Sequence, residues 1–401
     1  MRVLLIDVNY KGSSTGRIVF NIFEYLNSNS FDAYVCYGRG AKVNDKKVKK
    51  FGFDFETKIH GFITRVFGWT GVASFFSTRR LLRYINDIKP DIINLHEPHA
   101  YFLNLKMFFN YIYKYKIPLV YTFHCEFAYT GKCGYAYECE KWKTHCGKCP
   151  HLHDYPSTLF FDFTKQMQKR KKDYLLKLPH LAIVCPSTWL ANRVKESFLK
   201  EKKTIVINNS IDVDSIFYPR ETNYLREHYH ICEDKIVLSA APYLMSERKG
   251  GKWVIELAKL NLNKSIKFVM VGIDIPLDNL PSNVICIPPV KDPDILANIY
   301  SSSDCFVICS SNENFPTTPI ESICCGTPVV GFDVGGTKET VPEPFGLFCK
   351  YGDIRQLSLN LNKMLSTSID KKQLNIIRDF YNNERMCKEY ISVYKDALKK
   401  Q

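Results

Sequence analysis

The constraint that bears hardest on this chain is a rhythm. Short β-branched apolar runs recur between longer stretches whose apolar residues return at helical spacing, the pattern of parallel sheets covered by helical crossovers. In the first half the runs are Val3–Ile6, Ala33–Tyr37, Ile92–Leu95, Leu119–Thr122, Ala182–Val184 and Thr204–Ile207. In the second half they are Ile236–Ala240, Lys267–Val271, Val284–Ile287, Cys305–Cys309, Val329–Phe332 and Leu347–Cys349. At 401 residues the chain is too long for one ordinary domain and fits two of roughly 200 residues. The expected fold class is α/β, with two doubly wound parallel sheets. The polar, turn-forming stretch Asn208–Pro219 divides them, giving domains over 1–210 and 211–375. Open parallel sheets bind ligands beyond the carboxyl ends of their strands, so the site is expected in a cleft between the two domains.

Composition narrows the class of partner. With 45% hydrophobic and 24% charged residues the chain is globular rather than disordered. No uncharged apolar run reaches the ~18 to 20 residues needed to cross a bilayer, and Val3–Ile6 is too short for a signal segment. Cysteines such as Cys36, Cys185, Cys286 and Cys309 stand singly in apolar runs. That usage points to a reducing cytosol. Lys and Arg outnumber Asp and Glu by 55 − 41 = +14. The surplus implies an anionic partner, whether nucleic acid, acidic lipid headgroups or a phosphorylated small molecule.

Two loops carry candidate chemistry. After the first strand, Gly12-Ser13-Ser14-Thr15-Gly16 feeds a helix read from Ile18, Val19, Ile22, Phe23 and Leu26. Backbone N–H groups at such a helix start suit a phosphate or sugar oxygen, although an isolated Gly-x-x-x-Gly is also an ordinary βα turn. It matches neither a dinucleotide fingerprint nor a Walker loop. The segment Ser310-Ser311-Asn312-Glu313-Asn314-Phe315-Pro316-Thr317-Thr318-Pro319-Ile320-Glu321 says more. It follows a strand and leads into a helix expected from Thr318, with Pro319 in the first turn. A glutamate in the loop and another in the helix would accept hydrogen bonds from sugar hydroxyls, while the helix end faces a diphosphate.

Continuing through Gly326-Thr327-Pro328 to Gly335-Gly336-Thr337-Lys338-Glu339, this segment resembles the nucleotide-sugar site of retaining glycosyltransferases of family 4. The resemblance implies the GT-B fold, two Rossmann-like domains facing across a cleft, with the C-terminal helix over 376–401 packing back on the first domain. Tyr121-Thr122-Phe123-His124, Thr130-Gly131-Lys132-Cys133, Cys146-Gly147-Lys148-Cys149-Pro150, Tyr155-Pro156 and Pro186-Ser187-Thr188-Trp189 resemble the colanic-acid and capsule branch of that family.

Carried onto this chain, the resemblance implies that Glu313 contacts the transferred sugar and Glu321 the nucleotide ribose. The backbone at Asn314, Phe315, Pro316 and Thr317 would cradle sugar and phosphate, with Gly16 also on the donor side. Lys249 matches the lysine that neutralises the donor diphosphate. Many relatives carry an arginine five positions earlier, where Leu244 stands here, and Arg248 is the expected substitute. His124, just past a strand end, would meet the donor sugar or the acceptor hydroxyl, while Gly12 and His96 belong to the acceptor side. The implied activity is transfer from a nucleotide diphosphate sugar, UDP preferred over GDP, to a saccharide or lipid-linked saccharide in surface polysaccharide assembly. A same-fold epimerase or hydrolase and a zinc-containing nucleic-acid binder are the rival readings, and nucleic acid is not the expected partner.

Three other features stand apart. Cys133, Cys139, Cys146 and Cys149 could hold a structural zinc, or form a disulfide-prone or reduced cysteine-rich loop packing over the acceptor cleft. Catalysis is expected to need no cofactor, since Asp212-Val213-Asp214 and Asp292-Pro293-Asp294 fall where a linker and a helix cap account for them. The stretch Phe62–Ile85 mixes aromatics with Arg65, Arg79, Arg80 and Arg83, and Lys165–Lys172 adds five cations. These helices would either cover the sheet with a solvated basic face or lie on an anionic membrane, giving a cytoplasmic enzyme peripheral to the inner face.

Overall fold

A computed structural model describes residues 1–262, 264–367 and 369–399. The chain divides into two compact units, 1–208 with 386–401 and 209–385.

The first unit is built on β1 (Arg2–Asp7), β2 (Asp32–Tyr37), β3 (Val48–Lys50), β4 (Ile92–Leu95), β5 (Leu119–Thr122), β6 (Leu181–Cys185) and β7 (Lys203–Val206). They form one parallel sheet in the order β3-β2-β1-β4-β5-β6-β7. Between them run α1 (Ser14–Ser28), α2 (Asp54–Phe67), α3 (Phe75–Ile88), α4 (Leu105–Tyr115), α5 (Thr164–Leu176) and α6 (Thr188–Glu196). Alternate residues of β1 serve opposite faces. Leu4 and Ile6 join one buried cluster, and Val3 and Leu5 the other. A sheet covered on both faces needs such unbroken apolar strands. The sequence rhythm misses β3, because Val48-Lys49-Lys50 carries a single apolar residue and is an edge strand dressed with lysine.

In the second unit β8 (Lys235–Ala240), β9 (Ile266–Val271), β10 (Val284–Ile287), β11 (Cys305–Ile308), β12 (Val329–Phe332) and β13 (Gly346–Cys349) form a parallel sheet in the order β10-β9-β8-β11-β12-β13. Its helices are α7 (Tyr224–Tyr229), α8 (Gly251–Lys259), α9 (Pro293–Ser301), α10 (Thr317–Cys324), α11 (Ile354–Leu365) and α12 (Lys371–Phe380). In both sheets the winding reverses beside the first strand, between β1 and β4 and between β8 and β11. Those reversals open the crevices in which such sheets bind ligands.

The last helix, α13 (Asn383–Leu398), returns the chain to the first unit. Met386, Cys387, Tyr390, Val393 and Tyr394 join the buried cluster of Val3 and Leu5. The return starts at Met386, later than the expected 376. The intervening residues Ile377 and Tyr381 belong to the second unit's core, where the Tyr381 hydroxyl donates to the Thr340 carbonyl at 2.7 Å. The first boundary falls after Asn208, just before the expected 210, because Asn209 Nδ2 reaches the Phe315 carbonyl at 3.4 Å.

Tyr394 ties α13 to the sheet, its hydroxyl donating to Asn94 Oδ1 at 2.7 Å in a fully buried setting. Tyr394→Phe is expected to lower stability by about 1–3 kcal/mol, the cost of leaving a buried acceptor short of a donor. Urea titration should show a lower midpoint with an unchanged slope.

Candidate functional site

In the second unit, the loops after β8 and β11 meet at one carboxylate. Glu313 is buried, and its Oε1 receives Lys249 Nζ at 2.6 Å and Arg248 Nη1 at 2.9 Å. Burial pushes the Glu313 carboxyl up, but the Lys249 and Arg248 charges outweigh it and hold the group below the usual carboxylate range. Glu313 is therefore an anion at neutral pH, and two cations share it.

Glycine makes this meeting possible. Gly250 has φ +71°, and a Cβ there would lie 2.0 Å from the Cys309 carbonyl oxygen. Gly335 has φ +58°, and its Cβ would lie 1.9 Å from the Glu313 carbonyl oxygen. Gly336 N–H also donates to that oxygen at 3.0 Å, and Ser311 N–H donates to the Arg248 carbonyl at 2.8 Å. Leu244 is a buried core residue, and its carbonyl accepts from Gly251 N–H at 3.0 Å, just past Lys249.

The following helix starts at Thr317, one residue before the expected Thr318, and Pro316 is its N-cap. No side chain caps its amides, and its first turn holds no acid. The loop that leads into this helix start carries Glu313 with its Arg248 and Lys249 partners, and a helix start favours an anion. Asn314 and Pro316 are buried in the loop. Phe315 has its ring in the core and its carbonyl on Asn209, so any contact it makes with a ligand is through its N–H. Glu321 lies farther along α10, half-buried, accepting from the Tyr300 hydroxyl at 3.0 Å.

In the first unit, histidines gather past the ends of β4 and β5. His96 Nδ1 and His124 Nε2 lie 3.0 Å apart with stacked rings, and His96 Nε2 meets Asn94 Oδ1 at 3.2 Å. His124 is half-buried, whereas His96 has no exposed surface. His96, expected on the acceptor side, is fully buried against His124. Burial lowers the pKa of both. His124 lowers His96 further, and Glu97 partly offsets the effect on His124.

Sequence reading passed over the acids beside them. Asp7 ends β1, fully buried, accepting from Thr15 Oγ1 at 2.9 Å and from Glu97 N–H at 3.2 Å. Burial, with the Glu97 charge adding to it, raises its pKa to about 7. The Glu97 side chain pairs with His99 Nε2 and accepts from Cys125 Sγ at 3.5 Å. Burial would raise this carboxyl, yet His99 chiefly brings it below the usual range. Ligand atoms of Glu97, His99 and Cys125 lie within 4.8 Å of one another. The signal was available in His96-Glu97-Pro98-His99, an acid between histidines at a strand end.

The glycine loop is partly committed to its own fold. Gly16 is buried in the first turn of α1, and its N–H donates to Ser13 Oγ at 3.0 Å, so that amide is not open to a ligand. A Cβ on Gly16 would come within 2.9 Å of the Asn9 carbonyl oxygen. Gly12 is exposed with nothing crowding it.

Cys133, Cys139, Cys146 and Cys149 line one small cavity in the first unit and form no disulfide. The basic-aromatic stretch forms two helices, with Phe62, Phe75 and Phe76 well exposed. Lys171, one of the five cations assigned to that surface, is instead buried, its ammonium donating to the Phe127 carbonyl.

Comparison with known proteins gives two family matches, Glycosyltransferase Family 4 over residues 15–215 and Glycosyl transferases group 1 over residues 226–382. A protein of Escherichia coli K12 bearing the name colanic acid biosynthesis glycosyl transferase WcaC is 24% identical over 319 residues, covering 77% of this chain and 76% of the relative. Among solved structures, sucrose-phosphate synthase from Thermosynechococcus elongatus superposes with a TM-score of 0.70 at 15% identity, covering all of both chains. Anabaena HepE in complex with UDP does so with a TM-score of 0.67 at 14% identity, over 99% of this chain and 100% of that one. These neighbours share the GT-B fold.

The buried histidines predict an acid-sensitive first unit. Unfolded histidine takes up its proton near pH 6.5, whereas His96 and His124, their pKa values depressed by burial, stay neutral further down. Stability is therefore complete above about pH 6.5 and lost as pH falls toward the folded values, by up to about 1.4 kcal/mol per pH unit for each group. Asp7, raised by burial, works in the opposite sense between its unfolded value and about 7. The clean readout is thus a difference. Between pH 7 and pH 5, His124→Gln should lose less unfolding free energy than the parent, measured by urea titration at each pH.

Proposed function

Since the chain belongs to glycosyltransferase family 4, we propose that it moves a sugar, with retention of configuration, from a UDP-sugar to a saccharide or lipid-linked saccharide in surface polysaccharide assembly. The observation that carries this reading is the cluster of Arg248, Lys249 and Glu313 beside the uncapped start of α10.

Two cations, Arg248 and Lys249, meet at Glu313 in the loop that leads into α10. A diphosphate supplies the matching anion, and its negative charge grows as the sugar departs, so Arg248 and Lys249 bind the transition state more tightly than the substrate. Glu313, an anion at working pH, accepts hydrogen bonds from the sugar hydroxyls and favours positive charge developing on the sugar ring. Glu321 takes the ribose hydroxyls, with Tyr300 fixing its second oxygen.

The acceptor is assigned to the first unit, where half-buried His124 presents a neutral imidazole. Glu97 also lies near it, but His99 and Cys125 occupy that carboxylate. It therefore sets the local charge and does not serve as a nucleophile. Substitution then runs on one face of the sugar. The acceptor oxygen forms the new bond as the bond to the leaving phosphate breaks, and that phosphate takes the acceptor's proton. UDP is preferred because HepE, of the same fold, is solved with it.

A lipid-linked acceptor and a peripheral, cytoplasmic-face location fit the exposed aromatics of α2 and α3. A nearby cavity of about 510 Å³ is lined by Phe75, Leu105, Met107 and Met167 with Lys106 and Arg170. No helix among the described residues is long and apolar enough to cross a membrane.

A screen of nucleotide sugars for thermal stabilisation, with turnover measured with and without a saccharide acceptor, tests the reading. UDP-sugars should raise the melting temperature, and transfer should depend on the acceptor. Lys249→Ala should cut kcat/KM by about 10²–10³-fold, the loss typical of removing one charge stabiliser from a reacting centre. Glu313→Ala should weaken the response to UDP-sugars more than the response to UDP. An unchanged response in Glu313→Ala would remove the assigned site, and consumption of donor at the same rate without acceptor would favour a hydrolase or epimerase.

A further inference from the structure

The segment 126–163 of the first unit contains no helix or strand beyond two short 3-10 turns, Glu126–Ala128 and Lys141–Lys143. So long a loop needs something other than backbone ladders to hold it. Part of the hold is polar. Buried Glu126 accepts from Ala136 N–H at 2.6 Å and pairs with Arg193 at 2.6 Å. Gln168 Oε1 accepts from Cys146 N–H at 2.7 Å, and Asp162 from Cys149 N–H at 2.7 Å. These contacts fix the backbone of two cysteines and leave their sulfurs facing a small cavity shared with Cys133 and Cys139.

The surroundings of that cavity suit anionic sulfur. Gly131 N–H donates to Cys146 Sγ at 3.2 Å. Two buried lysines stand within electrostatic reach, Lys132 toward Cys133 and Cys149, and Lys171 toward Cys133 and Cys146. Carbonyl oxygens hold both ammonium groups, Leu152 and Pro156 each at 2.6 Å from Lys132 Nζ and Phe127 beside Lys171. A buried charge is costly unless it is compensated. Buried lysines beside this cavity favour sulfur that carries net negative charge, and a dication held by four thiolates carries two negative charges.

We propose that Cys133, Cys139, Cys146 and Cys149 bind one Zn²⁺ as a closed, structural S₄ site that pins this loop. On binding, each thiol gives its proton to solvent and each sulfur forms one bond to the metal, with no change of oxidation state. No three of these sulfurs lie within 4.8 Å of one another. Closing onto bonds of about 2.3 Å is the step in which the metal tightens the loop. This assignment does not depend on the proposed glycosyl transfer.

The test is metal analysis of the full chain purified without chelator, by inductively coupled plasma mass spectrometry. About one zinc per chain is expected, released by a thiol-modifying reagent, and Co²⁺ exchanged into the protein should show the intense thiolate charge-transfer bands of a tetrahedral S₄ site. Cys149→Ser should lower zinc content at least tenfold. Cys125→Ser and Cys232→Ser, which alter thiols outside the cluster, should leave it unchanged. Zinc lost in Cys125→Ser but kept in Cys149→Ser would overturn the proposal in favour of Glu97, His99 and Cys125. A folded parent chain with less than a tenth of an equivalent of zinc, or with these cysteines in disulfides by peptide mass mapping, would overturn it outright. Because the stoichiometry and the cobalt spectrum are read on the unmutated protein, the result stands even where a variant fails to fold.

Discussion

One buried carboxylate organises the second unit's loops. Glu313 carries its charge into a site from which water is largely excluded, and such a group persists only where cations meet it at close range. Lys249 and Arg248 do so, and both arrive on a single loop that can reach them only because Gly250 lets it lie against the Cys309 carbonyl. Gly335 permits the same approach from the other side, onto the backbone of Glu313 itself. A side chain at either glycine would push a loop back and part the charges. The ion cluster and the backbone packing therefore depend on each other, and neither can be relaxed alone.

The placement of these groups follows from the winding of the sheets. In the second unit the cationic loop follows β8 and the acidic loop follows β11, the neighbouring strands between which the winding reverses. In the first unit the corresponding strand β1 ends in Asp7, β4 is followed directly by His96 and Glu97, and His124 lies just past the end of β5 next door. Polar and titratable residues that would be costly in the middle of either sheet are tolerated at these strand ends, where helix starts and loops offer them partners. Chemistry gathers there because the parallel sheet leaves no other place for it.

Much of this was legible in the sequence. Apolar strand runs betray a sheet buried on both faces, and the Asn312–Glu321 segment shows a loop acid followed by a helix start. What stayed hidden was arrangement across strands. Asp7 and Glu97 lie 90 positions apart, and only the pairing of β1 with β4 brings the Glu97 amide to the Asp7 carboxyl. His96 reads as an acceptor-side residue, of lesser role than His124, from its strand-end position. It is Asn94, two residues earlier and itself held by Tyr394 of the last helix, that turns it inward. The basic surface was overcounted at Lys171 for a similar reason, since a charge run does not reveal which member a loop will bury. β3 escaped notice because an edge strand can be stabilised by hydrogen bonds on one side and kept soluble by lysines, with little apolar signal.

The unequal stoichiometry at Glu313 has a functional consequence. A single carboxylate balanced by one cation would be a finished ion pair with no reason to accept another anion. At Glu313 two cations share one acid, and the start of α10 adds partial positive charge of the same sign. In the proposed transfer, the diphosphate draws Lys249 or Arg248 part-way from an acid that remains paired to the other. The burial of Glu313 is already compensated by its two cations, so under that proposal little of the donor's binding energy goes into reorganising charge. The remainder is free to act on the bond between sugar and phosphate, where charge develops during the reaction.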